Sequence, residues 1–302
     1  MLRRALALAT ACLALSACDR PAEDGERARH AADLQRLKPP AAPDLSGMVR
    51  VPAGVVTLGD EIEIPDPADR PRRQVEAFWL DAAPVTNAAF AAWVRRTGRE
   101  TSAEALGESS VIAPTSGVWS LVEGATWKAP LGPDSPTPPA DHPVVHVSWY
   151  DADLYCRSLG KRLPTEVEWE HAARDGRDDR ARYAFGDALV EEGRFRANVW
   201  TGIFPVFNDK GDGWLTTSPV GTFGRTALGL ADMAGNVWEW TDSWFQPYDR
   251  PESGAPTERV QRGGSFLCDT KVCHGFRVAA RGKASPASSH MHVGFRCAAD
   301  AR

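Results

Sequence analysis

Residues 160–170 read GKRLPTEVEWE, and the start of a helix can be recognised within this stretch. Thr165 and Glu168 stand three residues apart, which is the spacing of a capping box. Trp169 and Ala172 follow on one face of the helix that this box would begin, so we expect them to be buried. The stretch therefore predicts a short helix whose apolar face packs against a core.

Two further helices are predicted upstream by similar signals. One begins at Thr86 or Asn87 as the N-cap and ends at Gly98. The other runs from Ser148 to about Leu159 and carries Cys156 on its core-facing side. Downstream of about residue 180 no long helical period appears, and short strands and loops are expected. The sequence thus predicts an α+β protein with little regular secondary structure and a single folded domain.

Composition excludes several classes of protein. The chain has 302 residues, 43% of them hydrophobic, which is typical of a globular protein. The 40 acidic and 35 basic side chains give a net charge of −5, so no nucleic-acid partner is expected. The 26 glycines and 23 prolines favour loops, and the 11 tryptophans must be buried or form a binding surface.

The N-terminus resembles a bacterial lipoprotein signal. A basic start is followed by an apolar segment that is too short to span a bilayer. Residues 15–18 read LSAC and fit a lipobox, which predicts removal of residues 1–17 and lipidation of Cys18. Asp19 resembles an inner-membrane retention signal. We therefore expect an exported protein, lipid-anchored at the periplasmic face of the inner membrane; an ordinary secretory signal is the alternative.

The remaining sequence divides into a linker and a domain. Residues 18–46 are rich in Ala, Pro, Arg, Asp and Glu without a sustained apolar period, so we expect a flexible tether. Residues 47–302 are expected to form the domain, and we expect it to be a monomer.

Four cysteines remain when Cys12 of the signal segment and Cys18 are set aside. Four cysteines allow three disulfide pairings, and the sequence alone does not choose between them. Cys268 and Cys273 have four residues between them, which suits either a small loop disulfide or a shared metal ion.

Five ordered blocks resemble the formylglycine-generating enzyme, or sulfatase-modifying factor, family. The blocks are HPVVHVSW (142–149), GKRLPTEVEWE (160–170), GNVWEW (235–240), RGGS (262–265) and GFRC (294–297). The resemblance covers about residues 47–300. It implies a single compact domain, low in regular secondary structure and related to C-type lectin-like folds.

The resemblance also implies a chemistry. Residues 264–273, GSFLCDTKVC, are similar to the family's active-site segment, in which two cysteines hold Cu(I). Thiolates are soft ligands that suit Cu(I). The family uses O2 to oxidise a cysteine to Cα-formylglycine, in an extended Cys-x-Pro-x-Arg segment of a sulfatase-type protein. Ser265 and Trp238 match further active-site positions, although Trp238 could equally be a core residue. The alternative for Cys268 and Cys273 is a loop disulfide.

The resemblance assigns a structural disulfide as well. It pairs Cys156 with Cys297, while Ala172 and Val278 occupy the places of a second disulfide found in eukaryotic members. Asp269 and His274 differ from the commoner residues beside the two active-site cysteines.

Two sets of oxygen ligands are implied for structural Ca2+. The first comprises Asn198, Val199, Asp212 and Trp214, the second Asp232, Gly235, Val237 and Glu239, with valine, glycine and tryptophan contributing carbonyl oxygens. A solvated turn is the alternative for these segments.

Other sequence patterns bear on alternative sites and functions. His142 and His146 flank a proline in a strand-like run, so they would not share a helical face, and we expect them to be structural. No Gly-x-Ser-x-Gly segment supports a hydrolase. The alternative function is a non-catalytic, calcium-stabilised, lectin-like binding module, and an iron-dependent sulfur oxidase would require a His-rich motif that we did not identify.

Overall fold

The computed structural model describes residues 20–113, 117–248 and 255–301, which form one mixed helix and sheet domain. Its helices are α1 (Arg20–Arg36), α2 (Asn87–Thr97), α3 (Ser102–Leu106), α4 (Trp149–Ser158) and α5 (Glu166–Ala173). The strands before α4 are β1 (Met48–Val51), β2 (Gly54–Thr57), β3 (Arg72–Val75), β4 (Phe78–Asp81), β5 (Glu108–Ile112) and β6 (Trp119–Glu123). Those after α5 are β7 (Val190–Glu191), β8 (Arg194–Phe195), β9 (Gly202–Ile203), β10 (Phe207–Asn208), β11 (Trp238–Trp244), β12 (Arg259–Arg262), β13 (Gly282–Ala284), β14 (Val293–Gly294) and β15 (Ala298–Asp300). The predicted α+β class is confirmed.

The helix starts predicted from the sequence are confirmed. Thr86 caps α2, which ends at Gly98 in the left-handed conformation. Ser148 and Thr165 each form a complete capping box, at the starts of α4 and α5 respectively. These signals are local, because a cap satisfies the free N–H groups of the first turn with a side chain two or three residues away.

Two sheets organise the domain. In the first, β4 lies between β1 and the C-terminal strand β15. The second has the order β13-β12-β11-β14, and β14 runs parallel to β11, with Trp238 opposite Val293. The parallel pairing places the segment before Gly294 beside Trp238, which brings two distant parts of the sequence together.

Tryptophan side chains fill the core. Trp93, Trp169 and Trp240 are at most 2% exposed. Each indole N–H finds an acceptor: Ser158 for Trp93, Glu239 for Trp169 and the carbonyl of Val147 for Trp240. In these three residues the buried indole contributes a large apolar surface without leaving its donor unsatisfied.

A disulfide joins α4 to the C-terminal segment. Cys156 and Cys297 are bonded, both fully buried, with their Cα atoms 5.6 Å apart. Closing a loop over a sequence separation of 141 residues should stabilise the fold by about 4–5 kcal/mol in the chain-entropy model. Ala172 and Val278, at the places of the missing second disulfide, lie in one apolar cluster, so packing replaces that bond.

The structure differs from the expected tether at Arg20–Arg36, which is the helix α1 packed on the domain. The ring of His30 contacts Trp149 and Tyr150, and its Nε2 lies 3.0 Å from Asp153 of α4. Polar contacts to buried groups hold this helix, so a search for an apolar period could not detect it. Cys18 and the signal segment lie outside the described residues. No described helix is long and apolar enough to cross a membrane.

Candidate active site

The segment that follows β12 turns sharply before it reaches the two cysteines. Gly263 and Gly264 have φ angles of 94° and 70°. A Cβ atom on Gly264 would lie 2.5 Å from the backbone nitrogen of Phe276, so only glycine allows the segment to fold back on itself. This turn places Ser265 and Cys268 close together, with the Cys268 N–H donating to the Ser265 carbonyl at 2.9 Å.

Cys268 and Cys273 are bonded to each other as a loop disulfide, with their Cα atoms 4.9 Å apart. This is the alternative that the sequence left open for the pair, and neither cysteine is bonded to Cys156 or Cys297. Cys268 is buried, whereas Cys273 is exposed. The His274 N–H donates to the Asp269 carbonyl and closes the loop between the two sulfurs. Copper binding by this pair stays a prediction, because it requires the two thiolates of the reduced pair.

Trp238 forms one side of the cysteine loop. Its indole packs on Gly275, where an added Cβ would approach the ring to 2.3 Å and the sulfur of Cys273 to 3.0 Å. The side chain is 7% exposed. Trp238 therefore belongs to the core and borders the candidate site at the same time.

Ser265 is fully buried and its hydroxyl has two partners. The backbone N–H of Leu267 donates to Oγ at 3.3 Å, and Nδ1 of His292 lies 3.0 Å from the same oxygen. The structure thus brings together all four residues predicted for catalysis, with His292 beside them.

The two residues that depart from the family pattern have definite positions in the loop. Asp269 accepts the N–H groups of Lys271 and Val272 through Oδ1, at 3.0 and 2.5 Å, and so shapes the turn. His274 bonds through Nε2 to the hydroxyl of Tyr183 at 2.8 Å. Burial lowers the pKa of His274, so this ring is neutral at pH 7.

The first proposed calcium set is assembled in one place. Asp212 accepts the N–H groups of Val199 and Trp214, at 2.8 and 2.9 Å. Oδ1 of Asn198 is buried without a hydrogen-bond partner among the described residues. A buried carbonyl oxygen without a partner is costly, and a cation would satisfy it. These residues fit Ca2+.

The second set fits a cation less well. Both carboxylate oxygens of Glu239 accept hydrogen bonds from Arg296 at 2.7 Å, and Trp169 donates to one of them. The guanidinium already balances this charge and would repel a second cation. Asp232 is left with a pKa raised to about 6, chiefly by burial. We therefore restrict the calcium proposal to the first set.

His142 and His146 have separate partners. His142 bonds to Thr217 at 2.8 Å. His146 uses both ring nitrogens, Nδ1 with Ser109 at 2.7 Å and Nε2 with the Pro130 carbonyl at 2.8 Å. Both histidines are engaged in hydrogen bonds within the fold, as expected for structural residues.

One residue of the candidate site was not predicted from the sequence: His292, which the structure places beside Ser265, with the rings of Trp119 and His290 against it. The ring centroid of Trp119 lies 5.9 Å from that of His290 and 4.9 Å from that of His292. The available signal was the pair of histidines at positions 290 and 292, shortly before the GFRC block. In the structure a turn at Met291 and His292 brings their rings together.

Comparison with known proteins identifies the family of this chain. The model of the sulfatase-modifying factor enzyme 1-like domain matches residues 34–301. A formylglycine-generating enzyme of Streptomyces coelicolor is 45% identical over 282 residues, covering 84% of this chain and 90% of that protein. An inactive C-alpha-formylglycine-generating enzyme 2 of Mus musculus is 37% identical over 274 residues, covering 84% and 86%. The solved structure of PvdO from Pseudomonas aeruginosa superposes with a TM-score of 0.61 at 25% identity, covering 84% and 94%.

The chain belongs to the sulfatase-modifying factor family, which also contains the formylglycine-generating enzymes it resembles. The expected family and fold are confirmed. Because similar relatives include a protein named inactive, the activity of this chain has to be argued from its own residues.

Replacing His146 should reduce the sensitivity of the fold to acid. Burial lowers the pKa of His146 from 6.5 to about 4, so between these values the unfolded chain binds more protons than the folded one. Stability is therefore present above pH 6.5 and lost as the pH falls towards 4, by up to about 3 kcal/mol. Asparagine tolerates the φ of 57° at this position, and its side chain does not titrate. We therefore expect His146→Asn to lose less free energy of unfolding than the wild type between pH 7 and 4.5. Equal losses in urea unfolding would contradict this.

Proposed function

We propose that this protein is an enzyme that converts a cysteine of a sulfatase-type protein into Cα-formylglycine, using copper and O2. The observation that carries the proposal is the pairing of buried Cys268 with exposed Cys273, beside Ser265 and Trp238. One sulfur is fixed by the core while the other faces solvent, where a substrate thiol can approach. The 45% identity to a formylglycine-generating enzyme supports the conversion of cysteine into formylglycine.

The reduced cysteine pair would hold Cu(I). Two thiolates with four residues between them form a soft ligand set on a loop whose shape is also fixed by hydrogen bonds. An external thiol would reduce the disulfide by exchange and become oxidised to its own disulfide, which transfers two electrons and two protons to the pair. Release of these protons on metal binding gives the thiolates. Bound copper would supply the centre at which O2 is reduced while the substrate thiol is oxidised.

The protein's own residues would fix that centre and shield it. The Trp200 N–H donates to the carbonyl of Cys268 at 2.9 Å, which holds this cysteine from the side of the proposed calcium segment. The indole of Trp238 packs on Gly275 and so borders the loop near the sulfur of Cys273. The Ser265 hydroxyl lies three residues before Cys268 and can orient a polar group at the pair.

The surface near the site suits an extended peptide. Trp119, which contacts His292 beside Ser265, is 43% exposed, and Val272 within the cysteine loop is 65% exposed. Apolar side chains exposed next to a reactive pair offer contacts to a polypeptide. We therefore propose that the Cys-x-Pro-x-Arg segment binds here in unfolded, extended form.

Replacing either cysteine of the pair by serine should abolish the activity. Each cysteine supplies one of two protein ligands, so Cys268→Ser or Cys273→Ser exchanges half of the soft coordination for a hard oxygen. We expect both variants to lose tight Cu(I) binding, measured by competition with a Cu(I) chelator, and nearly all formylglycine, measured by mass spectrometry of a Cys-x-Pro-x-Arg peptide. Lys271→Ala, an exposed side chain of the same loop, should retain both.

Two results would overturn this proposal. A serine variant with wild-type copper affinity and product yield would exclude the pair as the copper site. A copper-loaded wild type that leaves the peptide unchanged would favour the non-catalytic binding module.

We further propose that Ca2+ occupies the first oxygen set and stabilises the segment behind Cys268. The set is connected to the cysteine loop because Trp200, two residues after Asn198, donates its N–H to the Cys268 carbonyl. The ion would reduce the cost of burying Asp212, whose pKa is raised by burial.

Calcium should therefore raise the melting temperature of chelator-treated protein. At a calcium concentration 100 times the dissociation constant the gain is about 2.7 kcal/mol. We expect Asp212→Asn to lose most of this gain, while Asp209→Asn, an exposed carboxylate of the same segment, should retain it. A wild type with the same melting temperature in calcium and in chelator would refute the site.

We propose that the enzyme is a monomer attached to the periplasmic face of the inner membrane through a lipid on Cys18. The lipobox at residues 15–18 supports this. Cys18→Ala should release the protein from membranes or block its maturation, as judged by fractionation and mass spectrometry of the N-terminus. An acylated, membrane-bound variant would disprove the assignment.

A further inference from the structure

His292 connects two residues of the candidate active site. Its Nδ1 lies 3.0 Å from the hydroxyl oxygen of Ser265, and its backbone carbonyl accepts the N–H of Trp238 at 2.9 Å. The residue is therefore bonded to Ser265 through its side chain and to Trp238 through its main chain. A movement of His292 would displace both.

The imidazole of His292 is restrained on several sides. The indole of Trp119 packs against it at a centroid distance of 4.9 Å, and the ring of His290 meets it edge to face at 6.0 Å. Its backbone is fixed because β14, which starts at the next residue, pairs with β11. A side chain held this firmly can fix the position of a hydroxyl group that it contacts.

The hydrogen bonds also determine the direction in which the Ser265 hydroxyl donates its proton. The Leu267 N–H occupies one lone pair of Oγ, so the hydroxyl can donate its only proton elsewhere. Burial lowers the pKa of His292 well below its usual 6.5, so the ring is neutral at pH 7. A neutral ring with its proton on Nε2 offers Nδ1 as an acceptor to that hydroxyl.

We propose that His292 is a positioning residue for the reaction: its Nδ1 accepts a hydrogen bond from the Ser265 hydroxyl and fixes the orientation of Oγ, while the Ser265 carbonyl accepts the N–H of Cys268. The expected effect of His292 on turnover rests on the proposed function. The hydrogen bond leaves one lone pair of Oγ free to receive a hydrogen bond from a group bound at the cysteine pair. His292 acts through Ser265.

His290 provides a matched control. It lies two residues before His292, and its ring also contacts Trp119. Within the described residues its ring makes no hydrogen bond to Ser265, Cys268 or Cys273. A general disturbance of the packing of the two histidines should affect His290→Ala and His292→Ala alike. Loss of the hydrogen bond to Ser265 should affect His292→Ala alone.

A double-mutant cycle tests the proposal through turnover of a Cys-x-Pro-x-Arg peptide. We expect His292→Ala to lower kcat roughly 10- to 100-fold with little change in KM, as for loss of a group that orients an active-site ligand. Ser265→Ala should have a comparable effect, and the double variant should be no worse than the more impaired single variant. His290→Ala should stay within about twofold of the wild type, and His292→Asn, whose carboxamide can still bond to Ser265, should recover part of the loss. Additive losses in the double variant, or an equal loss in His290→Ala, would overturn the proposal.

A second measurement does not depend on activity. The 15N resonances of the imidazoles should show His292 with a proton on Nε2 and an unprotonated, hydrogen-bonded Nδ1. Ser265→Ala should shift the Nδ1 resonance of His292 and leave that of His290 in place. A protonated Nδ1, or a His292 resonance unaffected by Ser265→Ala, would refute the assignment even if the wild type proved inactive on the peptide. An inactive wild type with the expected resonances would contradict the proposed function alone.

Discussion

The buried ion pair between Arg296 and Glu239 is the interaction on which the rest of the structure depends. Both side chains are fully buried, and the guanidinium donates to both carboxylate oxygens at 2.7 Å. Arg296 also donates to the carbonyls of Asp81 and Ala231, and Trp169 donates to Glu239. The pair thereby joins α5, β4, β11 and the C-terminal segment. Removing one partner would leave a charge buried without compensation, at a cost of about 3–5 kcal/mol.

The candidate site is held mainly by backbone hydrogen bonds between loops. The Asn236 N–H donates to Asn198 at 2.8 Å, the Phe266 N–H donates to Asn236 at 3.0 Å, and the Trp200 N–H donates to Cys268 at 2.9 Å. These bonds link the proposed calcium segment, the turn before β11 and the catalytic loop. A fold with little regular secondary structure can position a reactive pair in this way, because its buried backbone groups are satisfied between segments.

The oxidation state of Cys268 and Cys273 decides whether the pair is a loop disulfide or a pair of thiolates that can bind a metal. As a disulfide the pair closes a small loop and has no thiolate to offer a metal. Reduction would free both sulfurs on a loop whose shape also depends on Asp269 and His274, through hydrogen bonds that do not involve sulfur. The disulfide is therefore compatible with the proposed enzyme, because the loop already holds the two sulfurs next to each other.

The sequence by itself determined the helix caps, the α+β class and the family, and it singled out Cys268, Cys273, Ser265 and Trp238, which the structure places close together. Caps at Thr86, Ser148 and Thr165 act within three residues, so they can be read from local spacing. The resemblance also supplied the Cys156–Cys297 pairing, which spacing alone left open. Three features came only from the tertiary structure: the docking of α1, the bond of His292 to Ser265, and the commitment of Glu239 to Arg296. Each joins residues 27 or more positions apart and depends on which buried polar groups find a partner, as with His292 and Ser265. Local sequence patterns do not predict such contacts, because the whole fold decides which polar groups are buried and must be paired.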